Sequence, residues 1–207
     1  MRRRATLSRM TFVVPLVLAF AAGACGNSAA GTNPAATQTH GQSAAPTPAG
    51  IALTQTLTAT TGGRSVKFPE GWTGTDNLGI LYVISSPAAN DRLLGLGKLN
   101  PGDVFIQFSE NTILSGTTTD PAVHLPDNLK LLAAGMGLTL PSPSPITSAG
   151  RQGAVIHAQN EKVAMIAISL KVRDDLFADI IAYTPPGEQA AREQLILAIV
   201  ESLTYPA

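Results

Sequence analysis

Gly153-Ala-Val-Ile-His-Ala-Gln159, Lys162-Val-Ala-Met-Ile-Ala-Ile-Ser-Leu-Lys-Val172 and Leu176-Phe-Ala-Asp-Ile-Ile-Ala-Tyr-Thr184 decide the fold of this chain. Asn160-Glu161 and Asp174-Asp175 separate the three runs. Each run is rich in the β-branched and apolar residues that suit strands, and each break is polar, so the stretch reads as a three-strand antiparallel meander. In the middle run Val163, Met165 and Ala167 fall on one face, while Ala164, Ile166, Ile168 and Leu170 fall on the other. A strand apolar on both faces has to be covered on both sides.

Working outward, Pro185-Pro186-Gly187 leads into a helix to Leu203, in which Ile196, Ile199, Val200 and Leu203 form the buried stripe. Glu188 in its first turn suits the helix dipole. Upstream, Asp127 can cap a helix carrying Leu129, Leu132, Ala133 and Met136 at helical spacing. Gly116 to Pro126 reads as a Thr-rich loop holding His124, and Leu140-Pro-Ser-Pro-Ser-Pro145 as an extended surface connection. Earlier, residues 52 to 60 and Arg64 to Phe68 flank Gly62-Gly63 as a hairpin, ended by Pro69-Glu-Gly-Trp72. The single tryptophan, Trp72, reads as a core plug. Gly79 to Ser85 and Asp103 to Ser109 are two further strands, joined through the apolar loop Leu93-Leu-Gly-Leu-Gly-Lys-Leu99.

The first residues carry Arg2, Arg3, Arg4 and Arg9 and no acid, and are followed by an apolar core from Phe12 to Ala22. That is the layout of a secretory signal peptide. Eleven residues of helix reach about 16 Å against a bilayer core of about 30 Å, too short to span. Ala22-Gly23-Ala24-Cys25 resembles the bacterial lipobox, in which small residues precede a cysteine that is acylated before the signal is removed; Ala22 stands where Leu is usual. The same small residues satisfy ordinary signal cleavage, which would release a soluble protein. Cys25 is the only cysteine of the chain, and an exported protein gains nothing from a lone thiol, which favours lipid on Cys25. The resemblance implies a diacylglycerol anchor, and more than one acyl chain holds a protein stably on a membrane.

These readings divide the chain into a signal peptide (1–24), a lipidated cysteine with a disordered tether (25–50) and one α+β domain (51–207). From Gly26 to Gly50 there is no charged and no large apolar residue, so no core can form there. As a flexible coil such a tether reaches roughly 25 to 30 Å. Without the four leader arginines, ten basic residues face fourteen acidic ones, a formal charge of −4. A mildly acidic protein lacks the basic surplus that nucleic acid or anionic lipid demands, so nucleic acid is not an expected partner. The expected address is the outer face of a bacterial cell membrane, with a secreted protein as the alternative.

Val66-Lys-Phe-Pro-Glu-Gly-Trp72, Gly150-Arg-Gln-Gly-Ala154 and Ile199-Val-Glu-Ser-Leu203, in this order with the elements between them, resemble the PsbP/Mog1-like fold, which is similar to that of several small bacterial cell-envelope lipoproteins. The resemblance implies an antiparallel sheet sandwiched between helices, and carries no catalytic residue with it. The residues themselves point the same way. His40, His124 and His157 are scattered and form no metal-ligand spacing. No Gly-x-Ser-x-Gly elbow and no phosphate-binding loop is present. No cofactor and no metal is expected, and the chain reads as a non-enzymatic binding or interaction module of unspecified partner. Two alternatives stay open. A carrier of an apolar small molecule would have a pocket lined by Leu93, Leu94, Leu96 and Leu99. A hydrolase would start from His157, Asp179 or His124, and Asp179 stands out because alternation places it on a face with Phe177, Ile181 and Tyr183.

Overall fold

The computed structural model describes residues 52–95, 98–113 and 118–206. The expected meander is its centre: β7 (Arg151–Gln159), β8 (Ala164–Arg173) and β9 (Leu176–Thr184) pair antiparallel in sequence order. It is preceded by β1 (Leu53–Thr58), β2 (Ser65–Pro69), β3 (Thr73–Asn77), β4 (Ile80–Ile84), α1 (Pro87–Leu94), β5 (Phe105–Thr112), α2 (Pro121–Met136) and β6 (Ser144–Ser148), and followed by α3 (Gln189–Glu201). Among the described residues, seven strands form one antiparallel sheet in the order β3-β4-β5-β9-β8-β7-β6, and β1-β2 form a separate hairpin. This is an α+β architecture with a sheet between helices, as the sequence implies.

The sheet separates two apolar cores. On one face Ile106, Phe108, Ile166, Ile168 and Ile180 pack with Ile196, Ile199 and Val200 of α3 and with Val66 and Phe68 of the hairpin. On the other, Phe105, Ile156, Met165, Ala167 and Ile181 pack with Ala89 and Leu93 of α1 and Leu125, Leu129 and Ala133 of α2. The first seven residues of β8 and all of β9 are buried, which is the two-sided covering their composition demands. Gly153 lets β7 approach β8 closely, since a Cβ there would run into the Ser169 carbonyl oxygen. Trp72 is half-buried against the α3-side core. The hairpin is tied down by the buried Arg64, whose guanidinium meets Glu110 at 2.8 Å and donates to the Gly79 carbonyl.

Four local readings are corrected. The α2 helix begins at Pro121, capped by the Asp120 carboxylate accepting from the Ala122 N–H, and not at Asp127. Pro at the first helical position costs no hydrogen bond, and the helix runs on through Pro126, so His124 is helical and not in a loop. The apolar segment before Leu99 is not all loop: Ser86 caps α1 through the Ala89 N–H, and Leu94 is its last residue. The proline-rich connection yields strand β6 from Ser144, on the sheet's edge, where Pro145 can sit without breaking a ladder. The edge strand β3 was not expected from Thr73-Gly-Thr-Asp-Asn77; Leu78 and Gly79, with φ of 53° and 85°, turn it onto β4 in the two-residue geometry that twisted hairpins prefer.

Candidate functional site

Asp179 is a carboxylate inside an apolar strand, 1% exposed, on the face of the sheet that α2 covers. In register beside it stand Ser109 of β5 and Ser169 of β8, so three polar side chains cross the sheet in a row. The Asp179 Oδ2 atom gathers three groups: Asn111 Nδ2 at 2.5 Å, Asn128 Nδ2 at 2.8 Å and His124 Nε2 at 2.8 Å. His124 and Asn128 are one helical turn apart on α2, which puts both over the same strand. The His124 ring lies 4.2 Å from that of Phe177, stacked at 22°. Asp179 Oδ1 and Ser169 Oγ are buried without a protein partner. A buried charge costs several kcal/mol unless donors surround it, so these three contacts are what makes Asp179 tolerable in the core. They also fasten the N-terminal half of α2 to β9.

His157 is not part of this cluster. It lies on the opposite face, where its Nε2 is 2.9 Å from Glu193 Oε1 on α3, in a pair about one-third exposed on each side. Of the residues nominated for acid–base work, therefore, His124 and Asp179 meet and His157 stands apart. The sequence did hold a signal for this: Asp120-Pro121 is a helix start, and extending the helix back to it sets His124 and Asn128 at a spacing of four. Asn111 carries no comparable cue.

A His–carboxylate pair of this geometry has the composition of a base and its orienting acid. Beside it opens a recess of about 480 Å³ walled by Thr118, Val123, His124, Asp127 and Asn128. Thr118 is the hydroxyl residue lining that recess among the described residues, and its Oγ1 accepts from the Asp120 N–H. Among the described residues no three His, Cys, Asp or Glu side chains gather as a metal site.

A second recess, of about 490 Å³, opens between α1 and the β3-β4-β5 end of the sheet. Its floor is apolar: Tyr82, Ile84 and Phe105. The Tyr82 and Phe105 rings are 5.7 Å apart and inclined at 55°, and Phe105 continues to Tyr183 at 6.1 Å. Thr73, Thr75 and Asn77 of β3 form one wall and Pro87, Asn90, Asp91 and Leu94 of α1 the other. The expected pocket of Leu93, Leu94, Leu96 and Leu99 is thus not formed as such. Leu93 and Leu99 are buried in the core, Leu94 is 71% exposed and lines the recess, and Leu96 lies outside the described residues. So does Cys25, with the residues expected to form the signal peptide and tether. No helix among the described residues is long and apolar enough to cross a membrane.

No protein-family model and no curated protein sequence matches the chain. Solved structures similar to it include the solution structure of cyanobacterial PsbP (CyanoP) from Synechocystis, at 16% identity and a TM-score of 0.49, covering 77% of this chain and 96% of that one. Another is LpqN of Mycobacterium tuberculosis, described as involved in cell envelope biogenesis, at 18% identity and a TM-score of 0.44, covering 73% of this chain and 91% of that one. At these identities and scores the likenesses assign no activity to this chain.

Proposed function

We propose that this protein is an extracytoplasmic binding module, held at the outer face of a bacterial membrane by lipid on Cys25, and that the recess under α1 receives its ligand. The observation that carries the reading is that recess: an aromatic and aliphatic floor with hydrogen-bonding groups on two opposed walls, of a size typical for small-molecule sites. It would serve the carrier form of the reading, with Tyr82, Ile84 and Phe105 as the apolar floor. The signal peptide and the lone Cys25 supply the address.

The hydrolase alternative centres on His124 and Asp179. Against it, the His124 ring is packed on Phe177 and bound to Asp179, and Asp179 is held by two amides, an arrangement that docks α2. The test uses the mature chain with Cys25→Ala. It should show no turnover on ester, phosphoester and glycoside panels, and ligands found by screening should still bind after His124→Gln or His157→Gln. Reproducible turnover lost with His124→Gln would replace the binding module with an enzyme.

A further inference from the structure

We infer that the recess between α1 and the β3-β4-β5 end of the sheet takes a small organic cation, a substituted ammonium carrying an apolar group. This rests on the reading of that recess as the ligand site and names the class of ligand. Three features of the lining lead to it.

The first is charge. Among the described residues, Asp91 is the one ionisable group other than Tyr82 that lines the recess, and no lysine or arginine does. Asp91 forms no ion pair among the described residues. Its neighbour Arg92 would be the natural counter-ion, but the guanidinium is turned to Asp103, with Nε at 2.7 Å from one carboxylate oxygen and Nη2 at 2.5 Å from the other. Asp103 also accepts from the Asn100 N–H, so the guanidinium makes its hydrogen bonds to Asp103, and Asp91 acts on it only through space and more weakly. With one exposed carboxylate outside any ion pair and no cation among its described lining residues, the recess disfavours phosphates, sulfates and fatty acids and favours an ammonium.

The second is the floor. At the floor the half-buried Tyr82 ring meets the buried Phe105 ring at 55°, a corner whose accessible π surface is mainly that of Tyr82 and attracts a cation through the ring quadrupole and an alkyl or aryl group by burial. Ile84 and Leu94 extend the apolar part. The third is the supply of acceptors: Asn77, Asn90, Thr73 and Thr75 each offer an oxygen to the N–H groups of a primary or secondary ammonium.

Three probes separate the possibilities: benzyltrimethylammonium, its uncharged isostere neopentylbenzene, and the anion benzenesulfonate. Each is titrated into the mature chain carrying Cys25→Ala, with amide chemical shifts read by NMR. The expected result is that the ammonium binds about tenfold more tightly than the uncharged isostere, from one exposed carboxylate and one aromatic corner together. Its shifts should map to Thr73–Asn77 and Pro87–Leu94, and benzenesulfonate should not bind. The preference should fall about threefold with Asp91→Asn and about threefold with Tyr82→Leu. Asp174→Asn, which removes an exposed carboxylate elsewhere, should leave it unchanged. Because the readout is a ratio of affinities on one protein, partial loss of folded material does not imitate it. Equal binding of ammonium and isostere, or a preference untouched by Asp91→Asn and Tyr82→Leu, would overturn the cation while leaving the recess as the site. Shifts that map elsewhere, or no shift with any probe, would overturn the recess itself.

Discussion

Replacing Asp179 by alanine removes the acceptor shared by Asn111, Asn128 and His124. A buried donor left without a partner costs about 1–3 kcal/mol, but Asn128 is exposed and Asn111 and His124 are half-buried, so water takes up part of what the carboxylate releases. The desolvation cost of the carboxylate also disappears with it. The net expectation is a loss of about 2–3 kcal/mol, below the range for leaving a buried charge unpaired. For a domain of this size that lowers the melting temperature by about 4–12 °C. Asp179→Asn keeps the shape and one acceptor oxygen, and should cost about 1–2 kcal/mol. Urea denaturation of the single variants and of His124→Ala with Asp179→Ala gives the coupling directly, expected between about 0.5 and 3 kcal/mol because the two side chains touch. Asp179→Ala within about 1 kcal/mol of wild type, or additive effects with His124→Ala, would refute the claim that this carboxylate fastens α2 to the sheet.

Ile199 is fully buried on α3, so Ile199→Ala should cost about 2–5 kcal/mol in chemical denaturation, and Ile199→Asp should abolish folding. Burial pushes the Tyr183 hydroxyl up to about 12, above its ordinary value near 10. The unfolded chain therefore loses that proton first, and stability should fall as pH rises from about 10 to 12; burial pushes Tyr205 up to about 12 as well, so Tyr183→Phe should reduce the decline in a pH series of denaturant midpoints and Tyr183→Phe with Tyr205→Phe should remove it. Cys25→Ala should block processing or release the protein from membranes on fractionation, whereas a mature N-terminus that begins with an unmodified Cys25 in intact-mass analysis would exclude the anchor.

The meander and α3 could be read before the structure because their apolar residues repeat at the period of the element and on faces that must both be covered. Met165, Ala167 and Ile168 carry that message however the rest of the chain is arranged. The edge strand β3 carries none: Thr73-Gly-Thr-Asp-Asn77 is polar, and it is a strand because β4 offers it a ladder. Both early helix starts were written in the chain as Ser86-Pro87 and Asp120-Pro121, a capping side chain before a proline. Pro126 concealed the second by suggesting a break that α2 passes through. The site was half legible for the same reason. Asp179 is conspicuous as an acid among Ala178, Ile180 and Ile181, but its partner is His124, which joins it only when that histidine is helical. The recess under α1 was not legible at all, since its walls come from a strand with no apolar pattern and a helix of eight residues.

The measurement that tests the central claim most directly is an NMR screen of a diverse fragment collection, including organic cations, against the mature chain carrying Cys25→Ala, with binders mapped by amide shifts and repeated on His124→Gln. The account predicts that binders cluster at Thr73–Asn77, Tyr82 and Pro87–Leu94 and keep their affinities in the variant. Binders that cluster instead around Thr118, His124 and Asn128, and are lost with His124→Gln, would contradict it.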